Sequence, residues 1–400
     1  MDFISKFIEF TKEFESPTNF WRWSAYSIVA AVLRDNVYFD HGLRRTYPNI
    51  YVVLLADSAH YRKSGPFPTV ASLLKELKCT KTIRGRASVQ AILEVLSQVT
   101  GSGGTQIQGG SCLLIAEELA SFFVSDPALV PLITDMYDYR DEFPYTLRSS
   151  TITVKNLCVS MLAASNETFL REVYTNAAVY GGLLGRTFMV KPDETREPNA
   201  LLEINPNDYD TKDLIGELNK IRLLRGPVTT TQDARIFYEI WYKNLYHSYS
   251  KINDRTGVTQ RMHTGVLKLA IIIAAAHGTK EINEIHMREA VDKVTGLKSN
   301  YEVYAMSSGK GTQAEIGAML LNSLWNAPKN EMSRADVLRF HWNTMSADEL
   351  DSLVQTLSQG KLIEMTMQGQ STIIYRMTDL CKGIFLKRAK GENGGNGNTT

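Results

Sequence analysis

The sequence predicts an α/β fold in which helices flank a doubly wound, mostly parallel sheet. Short apolar runs that end in polar residues alternate with stretches of helical periodicity, as expected of buried parallel strands joined by crossover helices. The length of 400 residues allows two or three domains. Hydrophobic residues make up 44% and charged residues 22% of the chain, which is ordinary for a globular protein.

The first 46 residues are predicted to form a helical N-terminal region. The opening segment MDFISKFIEFTKEFES places charges inside an apolar pattern, which predicts an amphipathic helix and not a secretory signal. This helix is expected to end near Ser16-Pro17. A second apolar segment, FWRWSAYSIVAAVLRD, runs to Asp35, and the turn HGLRR follows at residues 41–45.

Residues 47–206 are predicted to form the sheet domain. Its strands are NIYVVLLAD, CLLIAEE, LCVSMLAAS and RTFMVKP, with helices predicted over residues 67–77 and 88–96. Before the third strand, FPYTLRSSTITVKN alternates apolar and polar residues on both sides of Arg148-Ser149-Ser150. This alternation predicts a β-hairpin inserted ahead of that strand.

The remaining chain is predicted to be a helical lid followed by a small C-terminal domain. Residues 207–306 lose the strand signal and suggest several helices. Residues 313–388 suggest three helices and then two short strands around Gln368-Gly369, a winged-helix pattern. The polar, Gly-rich residues 389–400 are predicted to be a disordered tail.

Composition restricts the class of protein and its surroundings. The formal net charge of +1 provides no global basic field, so any contact with nucleic acid must be local. Four cysteines without CxxC spacing argue against a zinc site and for a reducing compartment. The apolar stretch LAIIIAAAHG is about half of the ~20 residues that span a bilayer. We therefore expect a cytoplasmic protein without a membrane partner.

A candidate phosphate-binding loop follows the first strand. Such a loop needs backbone amides around the phosphates, a Lys for the β- and γ-phosphate charges and a Ser or Thr hydroxyl for magnesium. The candidate nucleotide-binding residues are consecutive: Asp57, Ser58, Ala59, His60, Tyr61, Arg62, Lys63 and Ser64. The motif expects glycine in place of Asp57 and Arg62, so this segment alone also fits an ordinary strand, turn and helix.

Polar residues also follow the next two strands. Glu117 and Glu118 form a carboxylate pair of the kind in which one acid holds magnesium and the other polarises the attacking water. Asn166 follows the third strand, at the end of a sheet where open α/β folds bind ligands. The glutamates could instead begin a surface helix, and Asn166 could be a helix N-cap.

The order and spacing of these features resemble the AAA+ ATPases. Lys63 and Ser64 match the end of the Walker A motif, Glu117 and Glu118 match the Walker B acids, although Glu117 stands where Asp is usual, and Asn166 matches the sensor residue. GGLLGRTFMV resembles the arginine-finger segment of minichromosome-maintenance-type helicases, with Arg186 at the finger position. TQRMHTGVLKLAIIIAAAHG resembles the second-sensor helix, with Arg261 as the candidate.

A closer resemblance covers residues 17–294, which look like a family of phage and mobile-element helicase-like proteins, often fused to primases, with a similarly degenerate phosphate loop. This resemblance implies an ATP-dependent DNA helicase or translocase with ATP and Mg²⁺ as cofactors. Ser64 and Glu117 would hold the metal. It also implies a homo-oligomeric ring, expected to be a hexamer, single-stranded or forked DNA as ligand, and a possible primase or replisome partner.

Several basic residues have two interpretations each. Gly181, Gly182 and Gly185 before Arg186 predict a guanidinium on an exposed turn, where it could reach a neighbouring subunit's phosphate or form a surface salt bridge. Arg261 could equally cap or solubilise its helix. Arg148 and Lys155 of the hairpin could grip DNA phosphates or lie in solvent.

Local basic groups outside the hairpin are further candidates for DNA contact. One cluster consists of Lys78, Lys81, Arg84 and Arg86, and another lies near the end of the chain at Lys382, Lys387 and Arg388. The third helix of the winged-helix pattern carries Asp348, Glu349 and Asp351 and no basic residue, which favours protein interaction or ring packing over DNA binding.

Two other functions remain open at this point. The missing glycines and Glu117 also fit a nucleotide-dependent loader or switch that does not unwind processively. A non-catalytic DNA-binding scaffold that uses the winged helix would require that nucleotide does not bind.

Overall fold

The computed structural model describes residues 1–56, 61–98, 109–126, 128–147, 151–167, 170, 182–197, 199, 210–248, 257–301, 311–342, 345–368, 372–383 and 385. The predicted disordered tail, residues 389–400, lies outside them. The chain divides into two compact units, Met1–Ala305 and Met306–Thr400.

The first unit is built on a central parallel sheet. The described strands of this unit, both inside and outside that sheet, are β1 (Val37–Asp40), β2 (Arg45–Thr46), β3 (Tyr51–Leu55), β4 (Lys81–Arg84), β5 (Ser111–Ala116), β6 (Arg140–Thr146), β7 (Thr151–Ser165), β8 (Thr187–Val190), β9 (Gly226–Pro227), β10 (Thr229–Thr230) and β11 (Glu281–Ile282). The sheet has the order β4-β5-β7-β3-β8, in which all neighbours are parallel, and β6 pairs antiparallel with β7.

The strands form where apolar residues can be buried on both faces. Every residue of β3 and of β5 is buried, as expected of central strands in a sheet covered on both sides. β4 lies at the edge of the sheet and alternates buried and exposed residues. The predicted α/β class, with a mostly parallel sheet flanked by helices, is therefore confirmed, and it is compatible with a P-loop-like fold.

Helices account for most of the rest of this unit. They are α1 (Phe3–Phe10), α2 (Thr18–Leu33), α3 (Pro66–Leu77), α4 (Val89–Ser97), α5 (Leu119–Ser125), α6 (Leu129–Asp135), α7 (Lys212–Ile221), α8 (Gln232–Ser248), α9 (Val258–Ala276) and α10 (Glu284–Thr295). α2 is buried on nearly all sides because it packs against β3, β5, β7 and β8.

α9 brings the helical region against the amino end of the sheet. It contacts α2, α10 and the 3-10 turn Leu184–Arg186. Gly265 makes this packing close, since a Cβ atom there would lie 3.0 Å from Cζ of Phe188 on β8. The first turn of α9, which carries Arg261, is therefore held beside the start of β8.

The second unit is a small helical domain with an antiparallel sheet. It contains α11 (Gly311–Asn326), β12 (Glu331–Ser333), α12 (Arg334–Phe340), α13 (Ala347–Gln359), β13 (Ile363–Gln368) and β14 (Thr372–Met377). β13 and β14 form the predicted hairpin, and β12 adds a third strand beside β14. α13 begins at Ser346, which forms a capping box with Glu349. The predicted order of three helices and a hairpin is thus present.

Candidate nucleotide site and arginine pair

The carboxyl ends of β3, β5 and β7 lie side by side at one edge of the central sheet. Leu55 pairs with Ser165, and Ala116 pairs with Ala163. From β3 the chain crosses to β4, the outermost strand on one side of the sheet, whereas from β7 it continues to β8, the outermost strand on the other side. Open α/β sheets bind ligands where the connections change direction in this way, outside the carboxyl ends of the strands.

The end of the predicted phosphate loop lies at this edge. Asp57, Ser58, Ala59 and His60 lie outside the described residues, whereas Tyr61, Arg62, Lys63 and Ser64 form turns that lead into α3. Nζ of Lys63 donates a hydrogen bond of 3.2 Å to the carbonyl of Ala56, directly after β3. Ser64 is exposed near the amino end of α3, where a helix carries partial positive charge. This charge distribution fits a phosphate.

Arg62 adopts the backbone conformation for which such loops usually use glycine. Its φ angle is +44°, in the left-handed region. The side chain is held by an ion pair of 2.6 Å between its Nε atom and Oε2 of Glu15, and the hydrogen bond from Arg62 lowers the pKa of that carboxyl group. The departure from glycine therefore leaves the turn in place.

The loop rests on the segment between α1 and α2. Oγ of Ser16 donates a 2.7 Å hydrogen bond to the carbonyl of Arg62. A Cβ atom added to Gly65 would overlap Oγ of Ser16 and lie 3.2 Å from the same carbonyl. Glycine is needed at residue 65 because the loop and the N-terminal segment approach each other closely there.

Glu117, the candidate magnesium carboxylate, is ion paired in this structure. It follows β5, and its Oε1 atom lies 2.9 Å from Nε of Arg84 at the end of β4. The two side chains are 43% and 45% exposed, and an ion pair with that exposure contributes about 0–1 kcal/mol. A divalent cation could therefore displace Arg84 easily. Glu118, the candidate that polarises water, is exposed beside it.

A magnesium ion at this edge would need ligands from the nucleotide as well as from the protein. The part of the chain that the structure describes has no group of three or more His, Cys, Asp or Glu residues that could hold a metal. Mg²⁺ usually takes one or two protein carboxylates or hydroxyls and completes its shell with phosphate oxygens and water. The hydroxyl of Ser64 and the carboxylate of Glu117 fit that donor set.

Asn166 follows β7 at the same edge. Its backbone carbonyl accepts a 3.1 Å hydrogen bond from the N–H of Leu170, so a helical turn begins there. Asn166 thus has the position of an N-cap, which was the alternative interpretation of this residue. The same position places its side chain after the strand that separates β3 from β5, as the sensor interpretation requires.

Arg186 lies at the opposite edge of the sheet. Thr187, at the start of β8, pairs with Tyr51 at the start of β3. β3 is five residues long, which corresponds to about 16 Å along the strand. Arg186 is thus separated from the end of the phosphate loop by the length of the sheet.

The expectation that the Arg186 guanidinium is exposed is wrong. The side chain is only 17% exposed, since Nη1 donates to the carbonyl of Gly182 at 2.9 Å and Nη2 lies 3.3 Å from Oδ2 of Asp138. The glycines before it let the turn pack tightly: a Cβ atom on Gly185 would lie 3.0 Å from Nη1 of Arg261. A salt bridge, the alternative weighed for Arg186, is what the structure shows within one chain.

Arg261 completes a pair of neighbouring guanidinium groups. Burial and the charge of Arg186 both lower the pKa of Arg261, and Asp138 opposes this shift. Two partly buried cations that share one nearby carboxylate favour the approach of a further anion. We call Arg186 and Arg261 the arginine pair.

The predicted hairpin is confirmed, and it projects from the amino edge of the sheet. β6 and β7 pair from Arg140 and Leu157 to Thr146 and Thr151. Lys155 is exposed on β7, whereas Arg148 in the turn lies outside the described residues. Asn156, with a φ angle of +51°, marks the place where β7 leaves the hairpin and enters the sheet.

The basic cluster predicted around β4 does not form one surface. Lys81 is buried, and its Nζ atom donates to the carbonyls of Leu96 and Gly109 at 3.0 and 2.9 Å. Arg84 lies at the carboxyl edge beside Glu117. Lys81 therefore stabilises the end of α4 and is not available to DNA.

The sequence interpretation missed a buried lysine near the arginine pair. Lys268 on α9 is 4% exposed, and its Nζ atom donates to the backbone and side-chain oxygens of Asn49 at 2.9 and 2.7 Å. Burial lowers the pKa of Lys268 to about 8. The signal in the sequence is a single charge inside the apolar run VLKLAIIIAAA.

Tyr137 connects Lys268 to the arginine pair. The Nζ atom of Lys268 lies 4.1 Å from the centre of the Tyr137 ring, and the guanidinium of Arg186 lies 5.8 Å from it. Nδ2 of Asn49 donates to the carbonyl of Tyr137 at 2.6 Å. Residues 137 and 138 therefore join the start of β3, α9 and the turn that carries Arg186.

Within the described ranges, no helix combines the length and the apolar character needed to cross a bilayer. No known protein-family model matches this chain, and a search of curated proteins finds no significant match.

Proposed function

We propose that this chain is an ATP hydrolase of the AAA+ type that works as a ring and acts on DNA as a helicase or translocase. The observation that carries the proposal is the common edge at which β3, β5 and β7 end. This edge brings Lys63 and Ser64, the glutamate pair and Asn166 to the switch point of one parallel sheet.

Each of these residues has a defined task in the proposed reaction. Lys63 and the amino end of α3 bind the negative charge of the phosphates, and Ser64 and Glu117 hold magnesium. Bound magnesium offsets the charge that develops on the phosphoryl group. Glu118 accepts a proton from the attacking water, and Asn166 orients that water.

The position of the arginine pair supports the proposed ring. Because Arg186 and Arg261 lie at the amino edge, they cannot reach a phosphate held by Lys63 of the same chain. In the proposed assembly they approach the nucleotide of a neighbouring subunit, where arginine stabilises the transferring phosphoryl group. A hexamer remains the expected ring size.

DNA is proposed to bind at the hairpin of β6 and β7, through Arg148 and Lys155. The second unit is proposed to be a winged helix. Its helix α13 is acidic, and Asp351 of that helix pairs with Arg334 at 2.9 Å. This charge favours a protein partner, such as a primase or another replisome component, over duplex DNA.

The test uses two inactive variants with complementary defects. Lys63→Ala and Arg186→Ala are each expected to abolish DNA-stimulated ATP hydrolysis. Mixtures of the two variants should recover part of the activity, because some interfaces then combine an intact phosphate loop with an intact arginine. Full activity in both single variants refutes the proposal.

Arg186→Lys is the matched control for folding. It keeps a cation that can pair with Asp138 but lacks the planar fork of donors that suits a phosphoryl group. We expect wild-type thermal stability and strongly reduced hydrolysis. Hydrolysis by the lysine variant at the wild-type rate would argue that Arg186 serves only its salt bridge with Asp138.

The pairing of Glu117 with Arg84 favours a second function, a nucleotide-dependent loader or switch without processive unwinding. The ion pair gives Glu117 a second, metal-free state beside the magnesium-bound one, and two alternative states suit a switch. In that case Arg84→Ala should raise the rate of hydrolysis, and the wild-type chain should bind ATP without displacing a strand from forked DNA. Strand displacement through a long duplex excludes the switch.

A further inference from the structure

A large cleft opens at the amino edge of the sheet, away from the proposed nucleotide site. Its volume is about 1000 Å³. The walls come from the turn between β1 and β2, the residues before β6, and helices α8 and α9, and none of the residues proposed above for ATP binding or hydrolysis lines it. We call it the tyrosine cleft.

Aromatic rings line the tyrosine cleft on separate elements. Tyr47 stacks on Tyr139 with ring centres 3.9 Å apart and planes inclined by 24°. On α8, Tyr242 lies nearly parallel to Tyr238 and meets the ring of His263 edge-on at 5.4 Å. Tyr139 and Tyr242 are half-buried, so each ring is partly accessible from the cleft.

The mouth of the cleft carries positive charge that local acids neutralise only in part. Arg44 and Arg45 are exposed there, and Arg44 forms no ion pair with any carboxylate of the described residues. The guanidinium of Arg45 lies 4.4 Å from the centre of the Tyr38 ring and 3.8 Å from Oδ2 of Asp40. Both cations remain accessible to a ligand.

The two acidic residues that line the cleft are already bonded. The carboxylate of Asp138 pairs with Arg186, and Oδ1 of Asp141 accepts a 3.1 Å hydrogen bond from the hydroxyl of Tyr139. An anion entering between Arg44 and the tyrosines meets cations, hydroxyl groups and ring faces, together with the exposed carboxylates of Asp138 and Asp141.

We infer that the tyrosine cleft binds a single strand of nucleic acid, with phosphates at Arg44 and Arg45 and bases against Tyr139 and Tyr242. Cations that follow the backbone, combined with aromatic rings that accept any base, are the chemistry by which proteins hold single strands. A duplex offers no free base faces to these rings. The inference rests on the proposed function only for the kind of ligand, since the cleft uses neither Lys63 nor a bound nucleotide.

The size of the cleft and the number of its aromatic positions bear on the kind of ligand. Pockets for drug-sized molecules span roughly 300–1,000 Å³, and this cleft lies at the upper end of that range with its arginines at an open mouth. The separate aromatic pairs provide stacking positions for successive bases. A strand, and not a free mononucleotide, is the ligand that uses all of these positions.

The test is the binding of a fluorescein-labelled oligothymidylate to the full chain without ATP, measured by fluorescence anisotropy over a range of salt concentrations. Arg44→Ala/Arg45→Ala should weaken binding at least ~10-fold and reduce the slope of log K against log salt by about 1.4, the value for two phosphate contacts on a single strand. Arg235→Ala/Lys243→Ala is the matched control, because it removes the same charge from exposed positions of α8 outside the cleft.

A second pair of variants tests stacking. Tyr242→Leu should weaken binding roughly 5- to 100-fold, and Tyr242→Phe should retain it, because the ring and not the hydroxyl carries the interaction. Thermal melts identify any variant that fails to fold. The arginine variants at exposed positions provide the result if Tyr242→Leu does not fold.

Three outcomes overturn the inference. They are undiminished binding by Arg44→Ala/Arg45→Ala, an equal loss in the control, and competition by thymidine monophosphate as strong as that by the oligonucleotide. Hydrolysis without DNA is measured on the same wild-type preparation. Strand binding without hydrolysis refutes the proposed function alone. Hydrolysis together with strand binding that Arg44→Ala/Arg45→Ala leaves undiminished refutes this inference alone.

Discussion

Lys268 places a charge where water is almost excluded. Its ammonium group has two oxygen partners, both from Asn49, and the face of Tyr137 beneath it. Asp138 and Arg186 act on it with opposite signs, so desolvation dominates and lowers its pKa from 10.5 to about 8. The protonated form is destabilised by folding, whereas the neutral form is not.

This destabilisation predicts a pH dependence of folding. Between pH 8 and 10.5 the unfolded chain binds more protons at Lys268 than the folded chain, so the contribution of this residue to the free energy of unfolding rises with pH. Between pH 7.5 and pH 9.5 we expect the free energy of unfolding of the wild type to rise by about 2 kcal/mol relative to that of Lys268→Met. Urea unfolding at the two pH values measures it, with Lys243→Met at an exposed position as control. Parallel pH profiles for wild type and Lys268→Met would contradict the assignment.

Single residues could be predicted from the sequence where local order determines their place. Glu117 and Asn166 follow apolar strands directly, Lys63 follows β3 after one loop, and parallel strands end at a common edge. The burial of Arg186 could not be predicted, because its carboxylate partner, Asp138, is 48 residues away in the chain. The pairing of Arg84 with Glu117 was missed for the same reason, since only the adjacency of β4 and β5 brings them together.

At the scale of elements, the approach of the phosphate loop to the N-terminal segment makes a testable prediction. Gly65→Ala should destabilise the chain by about 1–3 kcal/mol and weaken the binding of a fluorescent ATP analogue, because the new methyl group displaces Ser16 from the loop. The double variant Ser16→Ala/Gly65→Ala should recover part of the stability and part of the binding of the ATP analogue, because it lacks the overlapping hydroxyl. Ser16→Ala alone, which loses only the bond to Arg62, is the control.

Equal defects in the single Gly65→Ala variant and the double variant would show that the overlap with Ser16 is not the cause. The φ angle of Gly65 is −55°, which alanine adopts freely, so backbone strain does not offer another explanation.

Elements were predictable where periodicity is local and long. The apolar strands and the helices of the second unit are present, and so is the hairpin before the sensor strand. The sequence did not reveal that the second strand of the hairpin and the strand that ends before Asn166 are one continuous strand, β7, of 15 residues. β9, β10 and β11 were also missed, because strands of two residues form only through pairing with distant segments.

At the scale of the whole molecule, the residues proposed for one reaction lie at opposite edges of one sheet. If the arginine pair acts on a neighbour, the rate of hydrolysis per chain should depend on protein concentration. Dilution into the monomer range should lower it by at least an order of magnitude, because an arginine in trans contributes about 10³–10⁵ to such rates. On the same dilution series, light scattering measures the oligomeric state and a phosphate-release assay measures the rate of hydrolysis per chain.

Arg186→Ala should show a low rate at every concentration in that series. A wild-type rate per chain that stays constant through the monomer range would mean that each chain completes its own site.

The continuity of β7 has a mechanical consequence. The strand begins at the hairpin proposed to hold DNA and ends beside Asn166, which is proposed to orient water at the other edge. Tension on the hairpin would travel along the covalent bonds of β7 and through its ladder to β5 and β3. If the chain is the translocase proposed above, an opposing force on the DNA would therefore slow the hydrolysis at the far end of the same strand.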